Sequence, residues 1–309
     1  MLGATGYTGR LSAAVLERRG VDAVLGGRDQ GRLDALPGSL PRQRVDTTDG
    51  GALATFLDGV DAVISTVGPF NVLGRAVADA AARTHTGYVD STGEMAFMSW
   101  LFATHAAATV PMVPACGMDY VPGDLAVALA SEAVGGPGAV TSVRVGYRMQ
   151  GMAATRGTAR SAVGEITQHR WTPRRLPVAF PDGRRDAVEF PWGEALLVPR
   201  RSPQADVRCG MVVPAPAVSA LAAAAPVVSR AQPLLRAAAP WLERLVDRRP
   251  DGPDEATRAG ARFTVAATVD GRHGDRAGVV VEGRDVYGLT AELHVACALR
   301  LSDAPPGAR

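Results

Sequence analysis

The chain has 309 residues, 47% of them hydrophobic, and a formal net charge of +2. That length and apolar content suffice for a large core in two domains, and the mixed charges leave neither a basic stripe for nucleic acid nor a block of one sign. All 33 basic residues are arginine, which excludes a catalytic lysine, Schiff-base chemistry and a Tyr-x-x-x-Lys pair.

Residues 3–11 read GATGYTGRL. Glycines at 3, 6 and 9 allow a tight turn after a strand, close approach of a pyrophosphate to the backbone, and close packing of a helix on a sheet. The following helix, expected from about Thr8 to Arg19, would offer its unpaired N–H groups and positive dipole end to phosphates. The spacing predicts a dinucleotide cradle. Only Met1 and Leu2 precede the first glycine, so the first strand reads as a stub in the middle of a sheet. The expectation is a start assigned too late or a truncation, with a tolerated short strand as the alternative.

An apolar run from Val21 to Leu25 predicts the next strand, ending in Gly26, Gly27, Arg28 and Asp29. A site for NAD wants a carboxylate at that tip for the ribose 2′-OH, whereas glycine followed by arginine suits a 2′-phosphate, so the cofactor expected is NADP. Strands at Gln43–Val45, Ala62–Ser65, Gly87–Val89 and Val110–Val113 then alternate with helical stretches rich in Ala, Leu and Arg. This is the rhythm of a parallel sheet covered on both faces. Gly68 and Pro69 after the strand Ala62–Ser65 suit an ordered loop at the crevice, or a plain strand-to-helix turn. Asp90, Ser91 and Thr92 suit helix caps, and Glu94 the first turn of a helix from Met95, although the run shares a sheet edge with the cradle. After the last strand, Asp119 and Tyr120 put two ionisable groups side by side.

The glycines and Pro137 at 135–138 break this rhythm, giving a first domain over 1–137. In the second, over 138–285, Val143, Val145, Tyr147 and Met149 alternate with Arg144 and Arg148 as a half-buried strand does. A helix is expected from Thr158 to about Trp171, with Ala159, Ala162, Val163 and Ile166 on one face. Strands follow at Val178–Phe180 and Ala187–Phe190. A segment rich in Ala, Pro and Leu runs from Met211 to Val246, a hairpin covers Arg262–Val269 and Gly278–Glu282, and an amphipathic helix spans Tyr287–Leu301. Residues 286–309 are expected to pack back on the first domain.

Met211–Val228 carries no charge, but Pro214, Pro216 and Pro226 interrupt it and alanine adds little transfer energy, so a packed helix is favoured over a membrane span. A peripheral membrane contact through Leu234, Leu235, Trp241 and Leu245 beside Arg230, Arg236 and Arg244 ranks next. Cys116, Cys209 and Cys297 are odd in number and lack metal-ligand spacing, so neither a disulfide scaffold nor a metal site is expected. No secretion signal opens the sequence, and a cytoplasmic location is expected.

The ordered motifs GATGYTGRL, GPF, GYVDSTGE, CGMDYVPGD and EGRDVYGLTAE resemble the saccharopine dehydrogenase-like oxidoreductases, including trans-acting enoyl reductases. The resemblance implies an α/β fold: a Rossmann-like doubly wound parallel sheet, a second α+β substrate domain, and a C-terminal helix returning to the first. It implies NADP-linked reduction and carries cofactor contacts onto Gly3, Thr5, Gly6, Tyr7, Thr8, Gly9, Arg28, Gly68, Pro69 and Phe70. Members typically have a full first strand and extend past the last helix, and this chain departs at both ends.

For the chemistry, hydride addition to a polarised alkene leaves an enolate that needs a donor and a proton at its α-carbon. Tyr120 and Asp119 are the expected catalytic groups, facing the nicotinamide, with packing and helix-capping roles as the alternatives. Arg156, Thr158, Arg160 and Ser161 open a helix whose terminus suits a carboxylate, a thioester oxygen or a carrier-protein phosphate; a solvated turn is the alternative. The leading reading is reduction of a C=C bond in a small-molecule or carrier-bound acyl substrate, in polyketide, lipid or other secondary metabolism. Reduction of an imine or oxidation of a C–N bond, and a non-catalytic NADP-binding sensor or scaffold, are the alternatives. Oligomeric state is left open, a homodimer among the options.

Overall fold

The structure is a computed structural model that describes residues 1–168, 174–190 and 192–308. Contacts divide the chain into two units, Met1–Met118 with Tyr287–Arg309, and Asp119–Val286.

The first unit alternates helices and strands: α1 (Tyr7–Arg18), β1 (Leu25–Gly27), α2 (Gln30–Asp34), β2 (Arg42–Arg44), α3 (Gly50–Leu57), β3 (Ala62–Ser65), α4 (Arg75–Arg83), β4 (Gly87–Asp90), α5 (Met95–Thr104) and β5 (Pro111–Val113). All the pairings are parallel. β2 pairs with β1, and β3, β4 and β5 pair in series. The halves meet at Leu2, which bridges Gly26 on one side and Ser65 on the other. Leu2 N–H donates to the Ile64 carbonyl at 2.9 Å, its own carbonyl accepts from Thr66 N–H at 3.0 Å, and Gly26 N–H donates to the Met1 carbonyl at 2.7 Å. Two residues thus take the place of the central strand, and Leu2 is fully buried. The chain runs outward from Leu2 first to β1 and β2, then to β3, β4 and β5. That reversal makes the topological switch point at which a doubly wound sheet opens a ligand crevice.

The apolar run at 21–25 contributes less strand than its pattern predicts. Val21 N–H closes the end of α1 on the Leu16 carbonyl at 3.0 Å, and pairing begins only at Leu25. Gly26 and Gly27 therefore lie within β1, where a Cβ on Gly26 would stand 2.8 Å from the Phe56 ring.

The second unit holds α6 (Val121–Ala133), β6 (Val140–Gln150), α7 (Arg156–Gln168), β7 (Arg175–Phe180), β8 (Gly183–Glu189), α8 (Glu194–Leu197), β9 (Asp206–Val212), α9 (Ala215–Asp247), α10 (Glu255–Gly260), β10 (Arg262–Gly271) and β11 (Arg276–Arg284). Its six-stranded sheet has the order β11-β10-β6-β9-β8-β7, mixed because β6 and β9 run parallel. The strand β9 has no counterpart in the sequence reading, although Val207, Cys209 and Met211 alternate with Asp206, Arg208 and Gly210 as a strand's residues do; it pairs with β6 and β8. α6 packs on β10 and β11.

The Ala/Pro segment forms one helix of 33 residues. Pro216 sits in its first turn, where the missing N–H costs nothing, but Pro226 is interior and does not end the helix as the sequence suggested. Packing against α7 and β8 offsets the lost ladder bonds. Among the described residues no helix is long and apolar enough to cross a membrane. Leu234, Trp241 and Leu245 are exposed, spaced along one face of α9. The side chains of Leu235 and Arg230, and those of Ala162 and Ile166 in α7, lie outside the described residues, as does Trp171 entirely.

The chain finally returns to the first unit with α11 (Val286–Ala298) and β12 (Gly307–Ala308), which pairs with β5. Ala291 and Val295 of α11 enter the core that holds Val15, Leu16, Leu25 and Ile64. Glu292 pairs with Arg18 and Arg19 of α1.

Candidate functional site

The three glycines of the opening motif each meet a different steric demand. Gly3 has φ +82°, and a Cβ there would stand 2.5 Å from Thr66 Oγ1. A Cβ on Gly9 would fall 2.0 Å from the Gly3 carbonyl oxygen, so only glycine lets α1 lie this close to the turn. Gly6, exposed, is the N-cap of α1 and provides no side-chain cap, and the first turn of a helix directs its N–H groups toward an anion. Thr5, Tyr7 and Thr8 are half-buried around this turn, and Tyr7 packs edge-on against Tyr287 of α11 at 5.3 Å.

At the end of β1 the side chain of Arg28 is exposed, while the Asp29 carboxylate is taken up in capping α2 through Arg32 N–H at 3.0 Å. Two arginines that sequence reasoning missed join this corner. Arg44 Nε donates to the Arg28 carbonyl at 3.1 Å, and an Arg32 guanidinium nitrogen donates to the Thr5 carbonyl at 3.2 Å. Asp46 is the nearby carboxylate, held below its ordinary pKa chiefly by hydrogen bonds from Thr48 and also by Arg28 and Arg44. A glycine cradle that a Cβ would fill, an uncapped helix start and clustered guanidinium groups fit a phosphorylated dinucleotide.

The loop after β3 carries Gly68, Pro69 and Phe70, with a cis peptide between the first two, and leads into a π-helical turn over Phe70–Gly74. Glu94 holds it. One carboxylate oxygen accepts Phe70 N–H at 2.9 Å and the other Asn71 N–H at 2.8 Å, in a position only 4% exposed. The sequence offered Glu94 a role in its own helix, but at the N-cap of α5 its side chain makes no cap bond. Asp90 plays a similar part on the neighbouring loops: its Oδ1 accepts Thr92 N–H at 2.8 Å and Ala115 N–H at 2.9 Å, and its carbonyl accepts Cys116 N–H at 2.7 Å. Burial pushes the Asp90 carboxyl up to about 6. The hydroxyls of Ser65 and Tyr88 lie beside it without a well-aligned bond.

Residues 1–136 match the profile of the saccharopine dehydrogenase NADP binding domain. They are similar in sequence to that domain. The dinucleotide it takes is NADP, as the arginine at the tip of β1 suggested. Over 140 residues the chain is 36% identical to a protein of Mycobacterium tuberculosis (strain H37Rv) named for trans-acting enoyl reductase activity, covering 41% of this chain and 33% of that one. It is 34% identical over the same length to the trans-acting enoyl reductase of Mycobacterium leprae, covering 34% of that protein. The match spans about a third of these curated relatives. In fold, the whole chain resembles the apo saccharopine dehydrogenase (L-Glu forming) of Saccharomyces cerevisiae, with a TM-score of 0.62 over 98% of this chain and 90% of that one at 15% identity. For the NADP-binding domain, Arg28→Ala should weaken NADPH binding about tenfold or more and leave NADH unchanged, since a charge-assisted bond to a phosphate contributes ~1–3 kcal/mol. Fluorescence titration with both cofactors measures this.

The second unit contains the other sequence-predicted residues. Tyr120 is buried in an aromatic group with Trp192, Tyr147 and Phe190, and a Cβ on Gly193 would stand 2.4 Å from its ring. Trp192 Nε1 donates to the Asp119 carbonyl at 2.6 Å, fixing the backbone there. The Asp119 carboxyl is pushed up to about 6 by desolvation. Beside this group lies Glu194, fully buried, which accepts the Tyr147 hydroxyl and leaves Oε2 without a protein partner. Desolvation raises its carboxyl to about 7. No local pattern marks Glu194 or Trp192 in the sequence. At the start of α7, Thr155 Oγ1 caps the helix by accepting Thr158 N–H at 3.1 Å, and Arg156 pairs with Asp251. Ser161, one turn further along, is half-buried.

Proposed function

We propose that the chain is an NADP-dependent oxidoreductase that reduces the C=C bond of an α,β-unsaturated acyl substrate, presented as a small thioester or on a carrier protein. The observation that carries the proposal is the opening cradle with Arg28 at the tip of β1, in a domain whose relatives are named trans-acting enoyl reductases. NADPH, when bound, supplies a hydride. Gly3, Gly6 and Gly9 with the start of α1 would hold its pyrophosphate and Arg28 its 2′-phosphate; the loop at Gly68, Pro69 and Phe70 would border the nicotinamide half.

What remains for the protein is to stabilise the substrate's enolate oxygen and to return a proton to its α-carbon. Asp119 suits the proton, because a carboxyl titrating at about 6 exchanges protons near neutrality. Tyr120, with its ring fixed between Trp192 and Gly193, suits the hydrogen bond to the enolate. Arg156, Thr158 and Ser161 at the opening of α7 are assigned to the thioester or the carrier phosphate. Location in the cytoplasm and a role in secondary metabolism belong to the same proposal.

The test is NADPH oxidation with an enoyl thioester. Tyr120→Phe and Asp119→Asn should each lower kcat by ~10²-fold with NADPH affinity nearly unchanged, the usual worth of a general acid. Full activity in both variants would remove these residues from the mechanism. Failure of the native chain to oxidise NADPH with any enoyl thioester, despite binding it, would sink the reading itself.

A further inference from the structure

We propose that Cys116 and Cys297 form a redox-active dithiol that a hydroperoxide converts to an intrachain disulfide. They are separated by most of the chain, yet both belong to the first unit. Thr290, Leu293 and Cys297 fall along one stripe of α11, and the segment after β5 lies against it. Met118 N–H donates to Thr290 Oγ1 at 3.1 Å, a Cβ on Gly117 would stand 3.2 Å from Thr290 Cγ2, and Cys116 Sγ is 3.6 Å from the Leu293 carbonyl. That carbonyl is one helical turn before Cys297. The two thiols lie close enough for each to shift the other's titration.

Their environments divide the labour of an oxidation. Cys297 is partly exposed, and the neighbouring Cys116 thiol lowers its pKa. Cys116 is 5% exposed, and the Cys297 thiol beside it together with burial raises its pKa. The Cys297 thiolate therefore attacks the peroxide, because the thiolate is the nucleophile and access governs the rate. Its sulfur takes one peroxide oxygen to become a sulfenic acid, and the O–O bond breaks to release hydroxide, or an alkoxide from an organic peroxide. Cys116 then attacks the sulfenic sulfur, forming the S–S bond and expelling the sulfenic oxygen as water. Sulfur is oxidised, peroxide oxygen is reduced, and two thiol hydrogens are lost. The bond would tie the loop after β5, which Asp90 also holds through Ala115 and Cys116, to α11. Cys209, buried in the second unit beside Glu194, serves as an internal control.

The experiment treats the full chain with hydrogen peroxide, then denatures it, alkylates free thiols and measures intact mass and an arginine-specific peptide map. The expected result is loss of two of the three thiols, a mass lower by two hydrogens, a joined peptide pair containing Cys116 and Cys297, and reversal by dithiothreitol. Cys297→Ser should abolish the joined pair and leave Cys116 free. Cys116→Ser should leave Cys297 to proceed to the sulfinic acid, since no partner resolves the sulfenic acid. Three thiols retained in the native chain, Cys297 carried to the sulfinic acid with Cys116 still free, or a bridge that includes Cys209 would each overturn the proposal.

Discussion

Glu94→Ala should lower the melting temperature of the first unit by about 10 °C and weaken NADPH binding tenfold or more. The carboxylate accepts the N–H groups of Phe70 and Asn71, and nothing else in a position 4% exposed can replace both acceptors at once. Hydrogen bonds to a charged group contribute ~1.5–3 kcal/mol each, and their loss leaves two donors unsatisfied at the start of a turn. A loss of ~3–4 kcal/mol corresponds to roughly 10 °C in a unit of this size. The loop carrying Gly68, Pro69 and Phe70 loses its anchor in the same step, so cofactor affinity falls with stability. Glu94→Gln should fall between, because one oxygen still accepts while the amide nitrogen opposes an N–H. Thermal melts with and without NADPH read both effects, and an alanine variant melting within 2 °C of the native chain, on the scale of ~1 kcal/mol, would show that the loop stands without Glu94.

Glu194→Gln should make the chain more stable at pH 8, by about 3 kcal/mol, and change little at pH 5. Burial raises the Glu194 carboxyl to about 7 from its ordinary 4.5, with Tyr147, Cys209 and Asp124 as the facing groups. The folded chain therefore holds this proton more tightly than the unfolded chain. The native contribution is fully present below pH 4.5, is lost as pH rises through 7, and levels off above it. A separation of ~2.5 pKa units is worth about 3 kcal/mol across that window. Glutamine keeps an oxygen to accept the Tyr147 hydroxyl and carries no charge to desolvate, so the variant should lack this slope. Asp90 and Asp119, both raised to about 6, add slopes of the same sign in either protein, so the comparison is between variant and native profiles. Urea unfolding at pH 5 and pH 8 provides the measurement, and parallel profiles would assign the buried carboxyl no part in the pH response.

What the sequence determined by itself was local. The cradle at 3–11 could be read because its constraints act within one turn: a positive φ at Gly3 and close approaches at Gly9 require glycine whatever surrounds them. The strand Ala62–Ser65 and the hairpin of β10 and β11 were legible for the same reason, as continuous or alternating apolar patterns bounded by turn residues. The arginine after Gly26 and Gly27 pointed to NADP because a strand tip faces its ligand through adjacent residues.

What only the tertiary structure decided joins residues remote in sequence. Leu2 completes the central position of the sheet by bonding to Ile64 and Thr66, and Met1 by bonding to Gly26, which no two-residue pattern can announce. Glu94 looked like part of its own helix until the loop at Phe70 came within reach. α9 continues through Pro226 because packing on α7 and β8 outweighs the missing ladder bond. Cys116 and Cys297, set apart by spacing alone, meet because α11 returns to the core of the first unit. Local conformational limits are written in adjacent residues, whereas burial and hydrogen-bond partners across long loops exist only once the chain has closed.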